Sequence, residues 1–157
     1  MMNLLNALVP TLLIIVGGII TWFLKSKVEE LRAAEENLRE TRTKTYWEIL
    51  EPYITLFSDT SEKARAGVIK TITSPQYRKT AFQLCLLGSD EVVRAYNAML
   101  QHTYEAERTG NQDAQELMRL WGALLIEIRK SLGNKKTKLK EVDMLRGMIK
   151  DIDDFLR

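Results

Sequence analysis

MMNLLNALVPTLLIIVGGIITWFL, residues 1–24, carries no charged side chain, and Lys25 and Lys27 follow it directly. A helix needs about 20 apolar residues to cross a bilayer, and residues 4–24 supply that length. A cleavable signal would carry a basic start, a shorter apolar core and a small-residue cleavage site. None of these is evident, so residues 1–24 predict a retained transmembrane helix. The positive groups Lys25, Lys27, Arg32, Arg39, Arg42 and Lys44 all follow the apolar stretch. The positive-inside rule then predicts an outside N-terminus and a cytoplasmic remainder.

The apolar stretch is two-faced. At 100° per residue, Asn3, Asn6, Ala7, Pro10, Thr11, Gly17, Gly18 and Thr21 fall within an arc of roughly 140°. Ile14 is the one large aliphatic residue well inside that arc, and the opposite face is Leu, Val, Ile, Trp and Phe. Helices meet in lipid through small residues and through Ser, Thr or Asn hydrogen bonds. No second apolar span exists, so a partner for this face must come from another molecule. Asn3, Asn6, Pro10, Gly17, Gly18 and Thr21 are therefore the candidate oligomerisation or pore face. A plain anchor in which Gly and Thr have no partner is the alternative. Pro10 would free the Asn6 carbonyl and bend the helix. A helix starting at Pro10 would leave only about 21 Å, which favours a kinked full span.

Residues 25–51 predict a helical stalk, because SKVEELRAAEENLRETRTKTYWEIL (26–50) contains neither Gly nor Pro. Glu35 with Arg39 and Glu40 with Lys44 are i,i+4 pairs in the favourable order. A single heptad register runs through Asn3, Ala7, Pro10, Ile14, Gly17, Thr21, Leu24, Val28, Leu31, Glu35, Leu38, Arg42, Thr45 and Ile49. Such a 3.5-residue repeat suits left-handed packing along a copy of the same helix. Glu35, Arg42 and Thr45 spoil a tight two-stranded seam, which leaves a wider ring or a solvated stalk.

Residues 52–157 predict one cytosolic helical domain, long enough for one modest core. Pro52 is expected to end or bend the stalk helix. Ser58 to Ser61 forms a polar break, and a short helix follows to about Ile72. Ser74–Pro75 supplies an N-cap and first-turn pair for a helix that stops at Gly88. Ser89 opens another, with the stripe Val92, Val93, Tyr96, Met99, Leu100 and Tyr104. TGNQD (109–113) is a loop. The strongest amphipathic pattern is Ala114, Leu117, Met118, Trp121, Leu124, Leu125, Ile128 and Leu132, ended by Gly133. A last helix should carry Val142, Leu145, Ile149, Ile152 and Leu156. No strand alternation appears, so the fold class is all-α: transmembrane helix, stalk, then a small helical bundle.

Several chemistries are excluded or disfavoured. The chain has no phosphate loop, Rossmann glycine run, GxSxG or HExxH. Its single cysteine, Cys85, precludes an internal disulfide, and its single histidine, His102, argues against a His/Cys zinc site. No metal or cofactor is expected. Arg94, Asn97 and His102 lie on one helix and resemble a diverged form of the Arg–His motif of HEPN-type ribonucleases. That motif separates Arg and His by four to six residues, whereas here the gap AYNAMLQ is seven residues. Arg94 and His102 would sit about 12 Å apart along the helix axis. A surface Arg and a surface His with no joint role is the alternative, and no enzyme is the expectation.

Charge is unevenly spread. Residues 88–118 hold six acids and two bases, whereas 129–140 hold six bases and no acid. Arg129 and Lys130 complement a helix C-terminus, but Lys135, Lys136, Lys138 and Lys140 exceed that need. They suit RNA, a phosphorylated signal or anionic lipid, or form a solvated loop. The acidic run Asp151–Asp154 reads as a solvated helix face.

The strings LLGSDEVVRAYN (86–97), LLIEIRKSLGNKKT (124–137) and MLRGMIKDID (144–153) resemble a group of small, uncharacterised bacterial single-span membrane proteins. Members with a suggested role are similar to the membrane accessory proteins of type VI-B CRISPR systems. These pair a span with a diverged HEPN-like domain, assemble into a pore and strengthen phage defence. The resemblance implies a homo-oligomer in the bacterial inner membrane, with RNA or a CRISPR effector complex among its partners. It transfers no site residue. A membrane tether for a cytosolic partner and a membrane-bound HEPN-like ribonuclease are the alternatives.

Overall fold

A computed structural model describes residues 2–59, 61–111 and 113–155, with side chains described from residue 17 onward. It is all-helical, and no strand occurs among the described residues. Seven helices follow in order: α1 (Met2–Ser58), α2 (Glu62–Ile72), α3 (Pro75–Leu87), α4 (Asp90–Thr109), α5 (Ala114–Ser131), α6 (Glu141–Leu145) and α7 (Ile152–Phe155). The chain divides into two units, Met1–Glu40 and Thr41–Arg157.

The first unit is helix alone, and from Gly17 to Glu40 every residue is exposed. Among the described residues no helix is long and apolar enough to cross a membrane. The described residues therefore do not support the expected transmembrane helix. The side chains of residues 2–16, which hold most of the apolar stretch including Asn3, Asn6 and Pro10, lie outside them. Lys27 pairs with Glu30 at 2.7 Å. Leu24, Val28, Leu31 and Leu38 are all exposed.

The second unit has one core. Tyr46, Ile49 and Leu50 of α1 meet Tyr77 and Leu84 of α3, Val92, Tyr96 and Met99 of α4, and Trp121, Leu124 and Ile128 of α5. Leu145 and Ile152 close it from α6 and α7. Burying a side chain of this size contributes about 1.5–3 kcal/mol. The Trp121 ring lies 4.6 Å from Tyr53 and 6.1 Å from Phe57, tilted in both cases. Helix starts follow the capping residues: Ser61, Ser74, Ser89 and Asp113 each accept a backbone N–H from the first turn. At the end of α4, Gly110 takes φ 70°, where only glycine is unstrained.

Three expectations are corrected. First, of the two outcomes expected at Pro52, an end or a bend, the end does not occur: α1 continues to Ser58. Pro52 is itself buried. Leu50 before it is in the core, and Tyr53, Ile54 and Phe57 after it pack against that core. Packing on both sides offsets the roughly 3 kcal/mol that an interior proline costs. Second, the heptad row does not remain free to Ile49. Thr45 and Ile49 are buried in the chain's own bundle, and Arg42 Nε donates to the carbonyl of Leu87. Third, the last helix is two short ones. Arg146, between them, bonds Asp143 at 2.5 Å and Asp153 at 2.9 Å. This guanidinium clamp folds the chain back so that Leu145 and Ile152 both reach the core; Leu156 lies outside the described residues.

Candidate functional site

The structure does not bring Arg94, Asn97 and His102 together as a reactive set. Arg94 is exposed and reaches back to Asp90 at 3.5 Å and Glu91 at 3.7 Å, within the first turn of α4. Asn97 is exposed. His102 is half-buried, and its Nε2 lies 3.1 Å from the carbonyl oxygen of Asp113. A carbonyl only accepts, so Nε2 carries the proton here. That bond ties α4 to the residue that caps α5. His102→Ala therefore lowers stability by about 0.5–1.5 kcal/mol, the net contribution of one such bond. Urea unfolding checks this. A variant of unchanged stability that loses ribonuclease activity would establish a catalytic histidine instead.

The basic run separates into engaged and free-standing parts. Lys130 pairs with Glu127 at 2.6 Å, and Arg129 donates to Thr137 Oγ1 at 3.3 Å. Lys135, Lys136, Lys138 and Lys140 are exposed. Arg129, Lys135 and Lys136 surround one shallow depression with Gly133, Asn134 and Thr137. Lys130 and Lys135 also border a second depression with Arg42, but Glu91 and Glu127 share it and reduce its positive field.

On α1, Gly17 and Gly18 are open: a Cβ built on either meets nothing within 4 Å. Thr21 Oγ1 donates to the Gly17 carbonyl at 2.8 Å, so its hydroxyl is already satisfied within the helix.

One partly enclosed cleft was not foreseen from sequence. A cleft of about 520 Å³ is bordered by Tyr53 of α1, Tyr77 of α3, Tyr96 and Tyr104 of α4, and by Met99 and Leu117. The chain has five tyrosines, and these are four of them. The fifth, Tyr46, shares a 2.8 Å hydrogen bond with Ser131. Tyr77 donates its hydroxyl to the Ile49 carbonyl at 3.2 Å. Burial raises the hydroxyl of Tyr53, pushes that of Tyr77 well above the usual phenol range and that of Tyr96 up to about 12. All three are neutral O–H groups near pH 7. Helical periodicity assigns Tyr96 to a buried stripe, but it cannot reveal that tyrosines from 8 to 51 residues apart surround one volume.

No protein-family model, curated protein or solved structure matches the chain. What the fold and its surfaces define is an all-α protein: seven helices among the described residues, the long first one carrying exposed apolar residues.

Proposed function

We propose that this is a membrane-anchored homo-oligomer that depolarises or perforates the bacterial inner membrane, without enzymatic activity. The observation that carries the proposal is how the apolar surface changes along α1. Ile19, Ile20, Trp22, Phe23 and Leu24 expose large apolar side chains over an arc of roughly 200°, with Gly17, Gly18 and Thr21 on the remainder of the helix. An exposed apolar arc that wide needs an apolar medium, and the small-residue face opposite is left for a neighbouring copy. From Leu24 the apolar residues narrow to Leu24, Val28, Leu31 and Leu38, a row at 3.5-residue spacing that suits a neighbouring copy. Lipid around the upper segment and copies along the lower one account for both patterns. The charge-free stretch 1–24 and the lysines after it support a span with an outside N-terminus. The setting in phage defence, with RNA or a CRISPR effector as partner, rests on the resemblance of residues 86–97, 124–137 and 144–153 alone. Lys135, Lys136, Lys138 and Lys140 supply a surface suited to anionic lipid or RNA in that setting.

The mass of the detergent-solubilised protein, measured by light scattering after gel filtration, tests the proposal. A closed assembly of many copies is the expected result. A monomer at all protein concentrations refutes the pore and leaves a tether.

A further inference from the structure

We propose that the turn after α5 holds a phosphoryl-binding site, one that takes a phosphate monoester or pyrophosphate group carrying at least two negative charges. This site deepens the reading of the basic run as a ligand surface, on which it rests, and is independent of pore assembly. Arg65, Arg94, Arg108, Arg119 and Arg146 each pair with a carboxylate. Arg129 is half-buried, and among the described residues no carboxylate pairs with it. A cation drawn partly out of water is costly unless a counter-charge meets it.

The chain builds the site by turning back on α5. Gly133 takes φ 113°, a backbone conformation strained for any other residue. The Asn134 N–H then donates to the Arg129 carbonyl at 3.2 Å, and the Thr137 N–H to the Asn134 carbonyl at 3.0 Å. Thr137 Oγ1 accepts from Arg129 Nε at 3.3 Å and fixes the guanidinium beside the turn. The two terminal guanidinium nitrogens donate to no group among the described residues. Nor do the ammonium groups or the backbone N–H groups of Lys135 and Lys136. Arg129, Gly133, Asn134, Lys135, Lys136 and Thr137 border one depression of about 480 Å³, and none of them is acidic.

These free donors select the ligand. A guanidinium is a planar fork that takes two oxygens of one phosphoryl group, and the two ammonium groups add point charge. Three cations around one depression match a group with two or more charges better than a nucleic-acid diester, which carries one. No aromatic ring borders the depression, so the bases of a single strand find no stacking surface there. Free phosphate esters and phosphorylated lipid headgroups both carry the group that the site fits.

Calorimetric titration of the full-length protein in an uncharged detergent is the test. The probes are inorganic pyrophosphate, soluble inositol 1,4,5-trisphosphate, mixed micelles holding phosphatidylinositol 4,5-bisphosphate, and a short single-stranded RNA without a terminal phosphate. Pyrophosphate and both inositol probes should bind saturably. Lys135→Gln with Lys136→Gln should weaken pyrophosphate about tenfold. Both side chains are exposed, so unfolding is no explanation. Arg129→Lys keeps the charge, loses the fork and should weaken it as much. Lys138→Gln with Lys140→Gln, outside the depression, should have little effect. Tighter binding of the lipid micelles than of the soluble inositol phosphate supports the site with a headgroup as its ligand, and equal binding supports it with a free ester. Absence of saturable pyrophosphate binding overturns the site. RNA binding without pyrophosphate binding also overturns it, while keeping the run as a ligand surface. An equal loss from the Lys138 and Lys140 pair overturns it as well, because the charge is then diffuse. Oligomer mass is read on the same samples: a monomer that binds pyrophosphate refutes the pore alone, and an oligomer that does not refutes this site alone.

Discussion

Gly122→Ala destabilises the helical unit, although alanine is the better helix former. Intrinsic propensity favours the substitution by about 1 kcal/mol in a helix interior. Against that, a Cβ at residue 122 would stand 2.7 Å from the carbonyl oxygen of Glu141 and 2.8 Å from its Cβ. Those atoms belong to the first residue of α6, and the carbonyl is backbone, so no side-chain rotation relieves the contact. Either α6 moves away from α5 or the overlap is retained, and overpacking of this kind costs about 1–3 kcal/mol. Displacing α6 would also disturb Leu145, which is fully buried. The expected net loss is about 1–2 kcal/mol for alanine and about 3 kcal/mol for valine, whose second branch meets the same backbone. Gly67→Ala in α2 is the matched control. Nothing lies within 4 Å of its added Cβ, so propensity acts alone and stability should rise by about 0.5–1 kcal/mol. Urea unfolding of both variants decides the matter. Stabilisation by both alanines would mean that α6 does not rest on the α5 backbone at Gly122.

That contact also marks where sequence stops being informative. Gly122 interrupts the strongest amphipathic pattern in the chain, and nothing local distinguishes a glycine demanded by a neighbour from one that is merely tolerated. Helix starts are different, because their cause is local. Ser61, Ser74, Ser89 and Asp113 each cap the helix that follows, and each is readable from a few residues. The all-α class was legible for the same reason, in the 3.6-residue stripe that buries Trp121, Leu124 and Ile128. Whether Pro52 ends the helix or is carried through it is not legible locally, because its cost is outweighed by core residues that come from other helices. The C-terminal turn is not legible locally, because the Arg146 clamp needs Asp143, three residues before it, and Asp153, seven after it, to meet in space. The tyrosine cleft is the extreme case: its border comes from several helices, and spacing along the chain carries no record of it.

Gly17→Leu and Gly18→Leu should each shrink the oligomer and abolish membrane depolarisation without reducing expression. Leucine keeps this part of α1 apolar and forms helix better than glycine does, so insertion and folding are not impaired. Within one copy the substitutions are harmless, because nothing lies within 4 Å of a Cβ at either residue. The Gly17 carbonyl, which accepts the Thr21 hydroxyl, is unchanged by a new side chain. Any effect must then arise in contact with another molecule, where small residues let two helix backbones approach and leucine holds them apart. Ile19→Leu and Phe23→Leu, placed on the other side of the helix at 100° per residue, are apolar controls. The assay pairs oligomer mass in detergent with a potential-sensitive dye in cells. An anchor that only tethers a soluble partner predicts that all four variants behave like the parent. If the glycine variants dissociate the oligomer and the dye still reports full depolarisation, assembly through this face is not how the membrane is breached.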